Sequence, residues 1–433
     1  AATPAAGEGG SHVRPAAPTP EGHLVRAAER CTSMEQLRPV HAVLVRHHHR
    51  LRNPSLVLAK LLRFAAVSPR GDLCYASRLL SHALHRGATH GRGTAFFHNT
   101  LIRGLAASAD PFRAVSLFKT MLRSSIPPDQ FSFTFLLKAR ARCSPAGGGD
   151  AHALALKNGC LAPIAALVHV HNALVHLYAS EGLPGDAYQV FDELPHPDVV
   201  SWSGLLHAQL TAGDLGAARG VFDRMPVQDV VSWTAMIAGY ARGGQPWRAL
   251  ALFKAMPPDV YPDEVTMVGV VSACAALGDL DTGAALHRCA DEKGFSWMAS
   301  LRNALIDMYA KCGCMEKARE VFDATEGKTQ ITWNSMISAY AMHGNDEAAL
   351  ELFRQMLTAE EPAPVVKPDG ATFLAALGAC AHSGRVEEGR RILERMGRHG
   401  VAPGVEHYGC VVDMLGRAGR LVEAYGMMGL PCC

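Results

Sequence analysis

The chain has 433 residues, 48% hydrophobic and 19% charged, which is too long for one ordinary core and too apolar for a disordered tail. Lysine and arginine number 42 against 40 aspartates and glutamates, and a formal charge of +2 excludes a uniformly basic nucleic-acid binder; any such surface must be local. The 12 cysteines lack paired spacing and several (Cys274, Cys312, Cys380) fall inside helical pattern, which points to reduced thiols; no run nears the ~18 apolar residues of a membrane span, so a soluble protein is expected.

Residues 1–22 are rich in Ala, Pro and Gly, and disorder is expected there. The first residue is Ala1 rather than Met, so the segment is expected to begin inside a longer product, and it is compatible with the remnant of an organelle transit peptide. Residues 23–94 read as irregular N-terminal helical repeats. The first is a helical stretch over 23–49 interrupted by Pro39, the second a hairpin over 54–84, followed by the glycine-rich joint RGATHGRGT. His47, His48 and His49 read as a solvated helix end rather than a metal site, since three adjacent residues diverge around a helix.

From residue 95 a pattern recurs. A small polar residue is followed six positions on by an apolar or aromatic one, and thirteen later by Phe: Asn99, Leu105 and Phe118 in a regular repeat over 95–129. A long degenerate repeat over 130–167 follows, its turn lengthened by CSPAGGG. Short repeats occupy 168–198 (Asn172, Tyr178, Phe191) and 199–229 (Ser203, Gln209, Phe222, with Gln209 breaking the aromatic rule), and a regular one 230–263 (Thr234, Tyr240, Phe253). Next come a long repeat over 264–298 (Val268, Cys274, His287), a short one over 299–329 (Asn303, Tyr309, Phe322) and a regular one with an insertion over 330–369 (Asn334, Tyr340, Phe353). A long repeat over 370–405 (Leu374, Cys380, Leu393) and a truncated short repeat over 406–433 complete the series. Copy lengths cycle, so Trp233 returns as Trp333 one cycle later.

Each copy is predicted to be a helix–turn–helix hairpin. Ala349, Leu352, Phe353 and Met356 lie at i, i+3, i+4 and i+7, one face of an amphipathic helix. Gly313 and Gly344 suit the left-handed residue that closes a helix, and Asn345 suits an N-cap. No heptad persists across the Gly and Pro joints, which excludes a coiled coil. One hairpin buries too little by itself, so stability must come from stacking, each buried Phe contributing ~1.5–3 kcal/mol. The expected fold is all-α, an α-solenoid forming an elongated monomer.

VVSWTAMIAGYARGG, NALIDMYAKCG, VSACAALGDLDTG, ITWNSMISAYAMHG and EHYGCVVDMLGRAGRL resemble the pentatricopeptide repeat family of plants, specifically its subfamily of alternating regular, long and short repeats, across about residues 23–428. The resemblance implies a protein of mitochondrion or chloroplast, the mitochondrion slightly favoured. It also implies binding of single-stranded organellar RNA at one base per repeat, often to mark a cytidine for conversion to uridine, with a separate deaminase or editing factor as partner. The implied readers are Asn99 with Asp129 and Asn172 with Asp198 for uracil, and Ser203 with Asp229 and Thr234 with Asp263 for guanine. Asn334 with Asp369 is again a uracil pair, and Asn303 with Thr329 departs from the pattern, leaving its base weakly specified.

The residues support a reading surface, since small polar side chains in phase along a solenoid can exchange hydrogen bonds with base edges. The competing reading makes each an N-terminal helix cap. Val268 and Leu374 hold that position in the long copies and are expected to read no base. A tetratricopeptide-like scaffold for protein partners is the alternative, but it would keep a constant repeat length. No enzyme is expected, since the H-x-E and C-x-x-C of a zinc deaminase are missing. No cofactor or metal is expected either: Cys312 with Cys314, and Cys432 with Cys433, are poor ligand sets.

Overall fold

The computed structural model describes residues 20–85, 92–143, 148–160, 168–295, 298–358 and 366–428. Among the described residues there are 24 α-helices, one short 3-10 turn and no strand. The chain divides into two compact units, residues 1–212 and 213–433. No described helix is long and apolar enough to cross a membrane.

The first unit opens with the hairpin α1 (Pro20–Arg30) and α2 (Met34–His47). Pro20–Gly22, expected in the disordered segment, begin α1. The helix breaks at Cys31–Ser33, where Ser33 accepts from the Gln36 N–H at 3.4 Å, and not at Pro39, which lies inside α2. A proline there removes one ladder hydrogen bond, yet Leu37 and Leu44 on either side are fully buried, and their packing carries the helix through. His47 and His49 are exposed while the His48 ring faces that of His82 at 6.5 Å, so the three histidines diverge.

Helices α3 (Pro54–Val67), α5 (Arg92–Ala107), α7 (Gln130–Cys143), α9 (Val168–Ser180) and α11 (Val199–Thr211) then pack each on the next. Behind them α4 (Leu73–His85), α6 (Phe112–Arg123), α8 (Gly148–Lys157) and α10 (Pro184–Asp192) each wedge between two of these. Two expected joints are shorter than their composition suggested. Arg92–Thr94 of RGATHGRGT belong to α5, and Gly148 and Gly149 of CSPAGGG belong to α8; residues 86–91 and 144–147 lie outside the described residues. Gly104 shows why a small residue is needed in the row: a Cβ on it would stand 2.0 Å from the Ala66 carbonyl oxygen.

The second unit repeats the plan. Helices α13 (Val230–Arg242), α15 (Glu264–Leu277), α17 (Ala299–Lys311), α19 (Gln330–Met342), α21 (Gly370–Ser383) and α23 (Val405–Arg417) form its row. They are backed by α12 (Leu215–Arg224), α14 (Pro246–Lys254), α16 (Leu280–Glu292), α18 (Met315–Asp323), α20 (Asp346–Thr358), α22 (Val386–Arg398) and α24 (Leu421–Met428). The fold is an α-solenoid of stacked hairpins. Gly313 and Gly344 take positive φ (81° and 70°), and Asn345 accepts from the Ala348 N–H at 3.4 Å.

The periodic Phe explains the stacking. In five repeats it is buried, and its ring meets edge-on the aromatic residue at the fourth position of the next first helix: Phe118 on Phe133 (5.4 Å), Phe191 on Trp202 (4.7 Å), Phe222 on Trp233 (5.0 Å), Phe322 on Trp333 (5.2 Å) and Phe353 on Phe373 (5.5 Å); Phe253 is half-buried, and Met267 holds the fourth position of the helix after it. Such pairs contribute ~0.5–1.5 kcal/mol beyond area burial. At these joints an aromatic contact therefore helps to hold successive hairpins in register.

Candidate nucleic-acid interface

Each candidate polar residue lies inside a first helix and not at its cap: Asn172, Ser203, Thr234, Asn303 and Asn334 are the fifth residues of α9, α11, α13, α17 and α19, and Asn99 the eighth of α5. The aspartates do the capping. Asp198, Asp229, Asp263 and Asp369 are N-caps of α11, α13, α15 and α21, each accepting from the N–H of the third helical residue. Asp129 accepts the equivalent bond from the Ser132 N–H at 2.9 Å.

The same carboxylate oxygen reaches back to the preceding repeat. Asn99 Nδ2 donates to Asp129 Oδ1 at 2.8 Å, Asn172 to Asp198 at 3.1 Å and Asn334 to Asp369 at 3.1 Å. A third group completes each cluster. The hydroxyls of Ser132, Ser201 and Thr372 donate to the Asn Oδ1 at 2.6, 2.7 and 2.6 Å. The Thr234 hydroxyl lies 2.6 Å from Thr266 Oγ1 and 3.2 Å from Asp263 Oδ1. These hydroxyls escaped the sequence reading, although the D-x-x-S/T spacing of a capping box marks them.

Two candidates sit differently. The Ser203 hydroxyl donates to the Val199 carbonyl in its own helix at 2.8 Å; Asp229 belongs to the second unit. Thr329 caps α19 with a hydroxyl instead of a carboxylate, accepting from the Thr332 N–H at 3.3 Å, and the Thr332 hydroxyl turns to it at 2.9 Å. Asn303 Oδ1 is then buried without a partner. In the long copies Val268 and Leu374 are half-buried at the equivalent fifth position of α15 and α21.

Burial opposes ionisation of Asp198, but hydrogen bonds from the Ser201 N–H and hydroxyl and from Asn172 outweigh it and hold the carboxyl below its usual range. Asp369 follows the same balance, with Thr372 and Asn334 as donors. Both therefore stay ionised at neutral pH and fix their donors' orientation.

Three residues before each polar residue, on the same face, an apolar side chain is left in solvent in several repeats: Phe96, Val200, Val231 at 62% exposed and Ile331 at 63%. A buried core cannot explain them, and the sequence reading did not single them out. The V-V and Q-I pairs that follow the caps are their only sequence signal. Beside Ile331 and Asn334, a groove of about 310 Å³ between α17 and α19 is lined also by Lys311, Ser338 and Met342. Among the described residues no group of three His, Cys, Asp or Glu side chains is placed to hold a metal ion.

The family model for the PPR repeat matches residues 96–126, 169–196, 231–257, 301–326, 331–360 and 371–401. A chloroplastic pentatricopeptide repeat-containing protein of Arabidopsis thaliana is 42% identical over 402 residues, which is 92% of this chain and 84% of the relative. The chain belongs to the pentatricopeptide repeat family. The mitochondrial pentatricopeptide repeat-containing protein OGR1 of Oryza sativa subsp. japonica is 37% identical over 93% of this chain and 62% of its own length. Such mitochondrial and chloroplastic relatives place this pentatricopeptide repeat protein among those of plant organelles. Among solved structures, PPR10 in complex with an 18-nt psaJ RNA element shares the fold, with TM-score 0.72, 19% identity, and coverage of 91% of this chain and 58% of that one. The repeat that matches is thus the pentatricopeptide type, and a tetratricopeptide-like scaffold is not favoured.

Proposed function

We propose that this chain binds single-stranded RNA and selects bases through the polar pairs of its regular and short repeats, about one nucleotide per repeat. The observation that carries the reading is the cluster at Asn99, Asn172 and Asn334, where an amide from one first helix, the carboxylate that caps the next and a hydroxyl recur in one arrangement. Helix capping needs only the carboxylate and the third-position residue. It does not need an asparagine from the repeat before. The amide keeps one N–H and one lone pair uncommitted, the equipment for a base edge. The exposed Val231 and Ile331 offer apolar surface to base faces, and the near-neutral total charge fits recognition by base edges and stacking more than by phosphate attraction.

Carried over by position, the N-to-C order is U at Asn99/Asp129, U at Asn172/Asp198, G at Ser203/Asp229, G at Thr234/Asp263, a weakly specified base at Asn303/Thr329 and U at Asn334/Asp369. The long repeats with Val268 and Leu374 add no hydrogen-bonded base. The role we infer is to direct organellar RNA processing, in particular cytidine-to-uridine conversion by a separate deaminase, with no catalytic residue, metal or cofactor assigned to this chain. We also propose the alternating regular, long and short organisation, and a monomer. Selection of bound RNAs from a randomised pool by the purified chain tests the reading. It is expected to enrich that base order; enrichment of no sequence, or of an order unrelated to it, rejects the proposal.

A further inference from the structure

In three repeats the reading amide is held at both ends by the hydroxyl and carboxylate clusters already described. The hydroxyl has one lone pair committed, because the backbone N–H of the cap donates to it: Asp129 to Ser132 at 3.0 Å, Asp198 to Ser201 at 3.2 Å and Asp369 to Thr372 at 3.1 Å. Its one proton has two acceptors in reach, the Asn Oδ1 at 2.6–2.7 Å, the nearer in each repeat, and the cap's own carboxylate Oδ1 at 3.1, 2.8 and 2.9 Å. Turning the amide over would set its oxygen against the carboxylate and lose the short bond from the hydroxyl, whose proton would have to turn wholly to the carboxylate. The repeat over 299–329 is the internal contrast. With Thr329 in place of the carboxylate, the Thr332 hydroxyl pairs with that of Thr329 at 2.9 Å, and Asn303 Oδ1 is left buried and unpartnered.

A fixed amide discriminates in a way a free one cannot. Uracil presents a carbonyl acceptor beside a ring N–H donor, and cytosine an amino donor beside a ring-nitrogen acceptor. An amide offers one donor and one acceptor side by side, so it matches either base by turning over. We propose that Ser132, Ser201 and Thr372 are positioning residues that hold Asn99, Asn172 and Asn334 in one amide orientation and so set the choice of uracil over cytosine at those repeats. Asn303, which no such hydroxyl holds, accepts both pyrimidines. This rests on the base-reading function proposed above.

The test is binding of the full chain to two RNAs taken from the pool selection that differ only by U or C at the nucleotide assigned to Asn334. Thr372→Val removes the hydroxyl at nearly constant shape, and Thr372→Ser restores it. One hydrogen bond's net worth corresponds to about a fivefold ratio, so the U-over-C preference is expected to fall about fivefold in Thr372→Val and to return in Thr372→Ser. Loss of the capping-box hydroxyl also weakens folding, but that lowers affinity for both RNAs alike and leaves the ratio untouched. Ser201→Ala is expected to give the same change at the nucleotide assigned to Asn172. An unchanged ratio in Thr372→Val and Ser201→Ala, or an equal fall in Thr372→Ser, overturns the proposal. Asn334→Ala separates the two claims: if the preference for U survives it, the base-reading function fails rather than the role of the hydroxyl.

Discussion

Thr234→Asn exchanges one implied reading for another in a setting the protein already supplies at Asn99, Asn172 and Asn334. Thr234 is 8% exposed, with Asp263 Oδ1 at 3.2 Å and Thr266 Oγ1 at 2.6 Å. Asn334 is flanked by the same two residue types, Asp369 and Thr372, at 3.1 and 2.6 Å. An asparagine at 234 should therefore find its amide donor and acceptor partners in place. Guanine and uracil both present a carbonyl beside a ring N–H, so the hydrogen-bond order required of the side chain is unchanged. What changes is reach: the short threonine leaves room for a purine, and the longer amide meets a pyrimidine. Preference at that one nucleotide should move from G to U, with matched and mismatched bases separated by ~1–3 kcal/mol, as for good side-chain contacts to duplex bases. Fluorescence anisotropy with RNAs varied only at that nucleotide, at fixed salt, measures it. Unchanged preference, or an equal loss for all four bases, means that Thr234 packs or caps and does not read.

Gly104→Ala places a methyl 2.0 Å from the Ala66 carbonyl oxygen, a backbone atom that cannot rotate away, so a loss at the upper end of the roughly 1–3 kcal/mol of overpacking is expected; an unchanged urea midpoint refutes the close approach of α5 to α3. Phe322→Ala removes a 2%-exposed ring stacked edge-on against Trp333 and should destabilise by ~3–5 kcal/mol; a denaturation shift worth less than about 1 kcal/mol would remove the aromatic contact from the account. Asp198 and Asp369 have depressed pKa values in the folded chain, so their contribution is fully present above the ordinary aspartate range near pH ~4 and is lost as pH falls through their lower folded values. Thermal melts by circular dichroism between about pH 5 and about pH 2 should show that loss, and Asp369→Asn should shrink it; an acid profile identical to the parent's contradicts the cluster's role.

The amino-acid sequence by itself determined the all-helical hairpin plan. The Phe positions, the closing glycines at 313 and 344 and the polar residues in phase are all local in the chain, and helical periodicity reports which face of a helix a residue occupies. Even the pairing of Asn172 with Asp198 or Asn334 with Asp369 was legible through the resemblance. The tertiary structure decided what each member of a pair does. The sequence reading weighed the asparagines as caps, whereas the aspartates cap the following helix and grip the preceding asparagine across 26 to 35 residues. That this hydroxyl meets the asparagine of the hairpin before, and that Asn303 Oδ1 is left without such a contact, depends on how two hairpins stack, a relation no local window contains. Pro39 inside α2 and the break at Cys31–Ser33 have the same cause. Propensity proposes a boundary, and the burial of Leu37 and Leu44 against neighbouring helices overrides it.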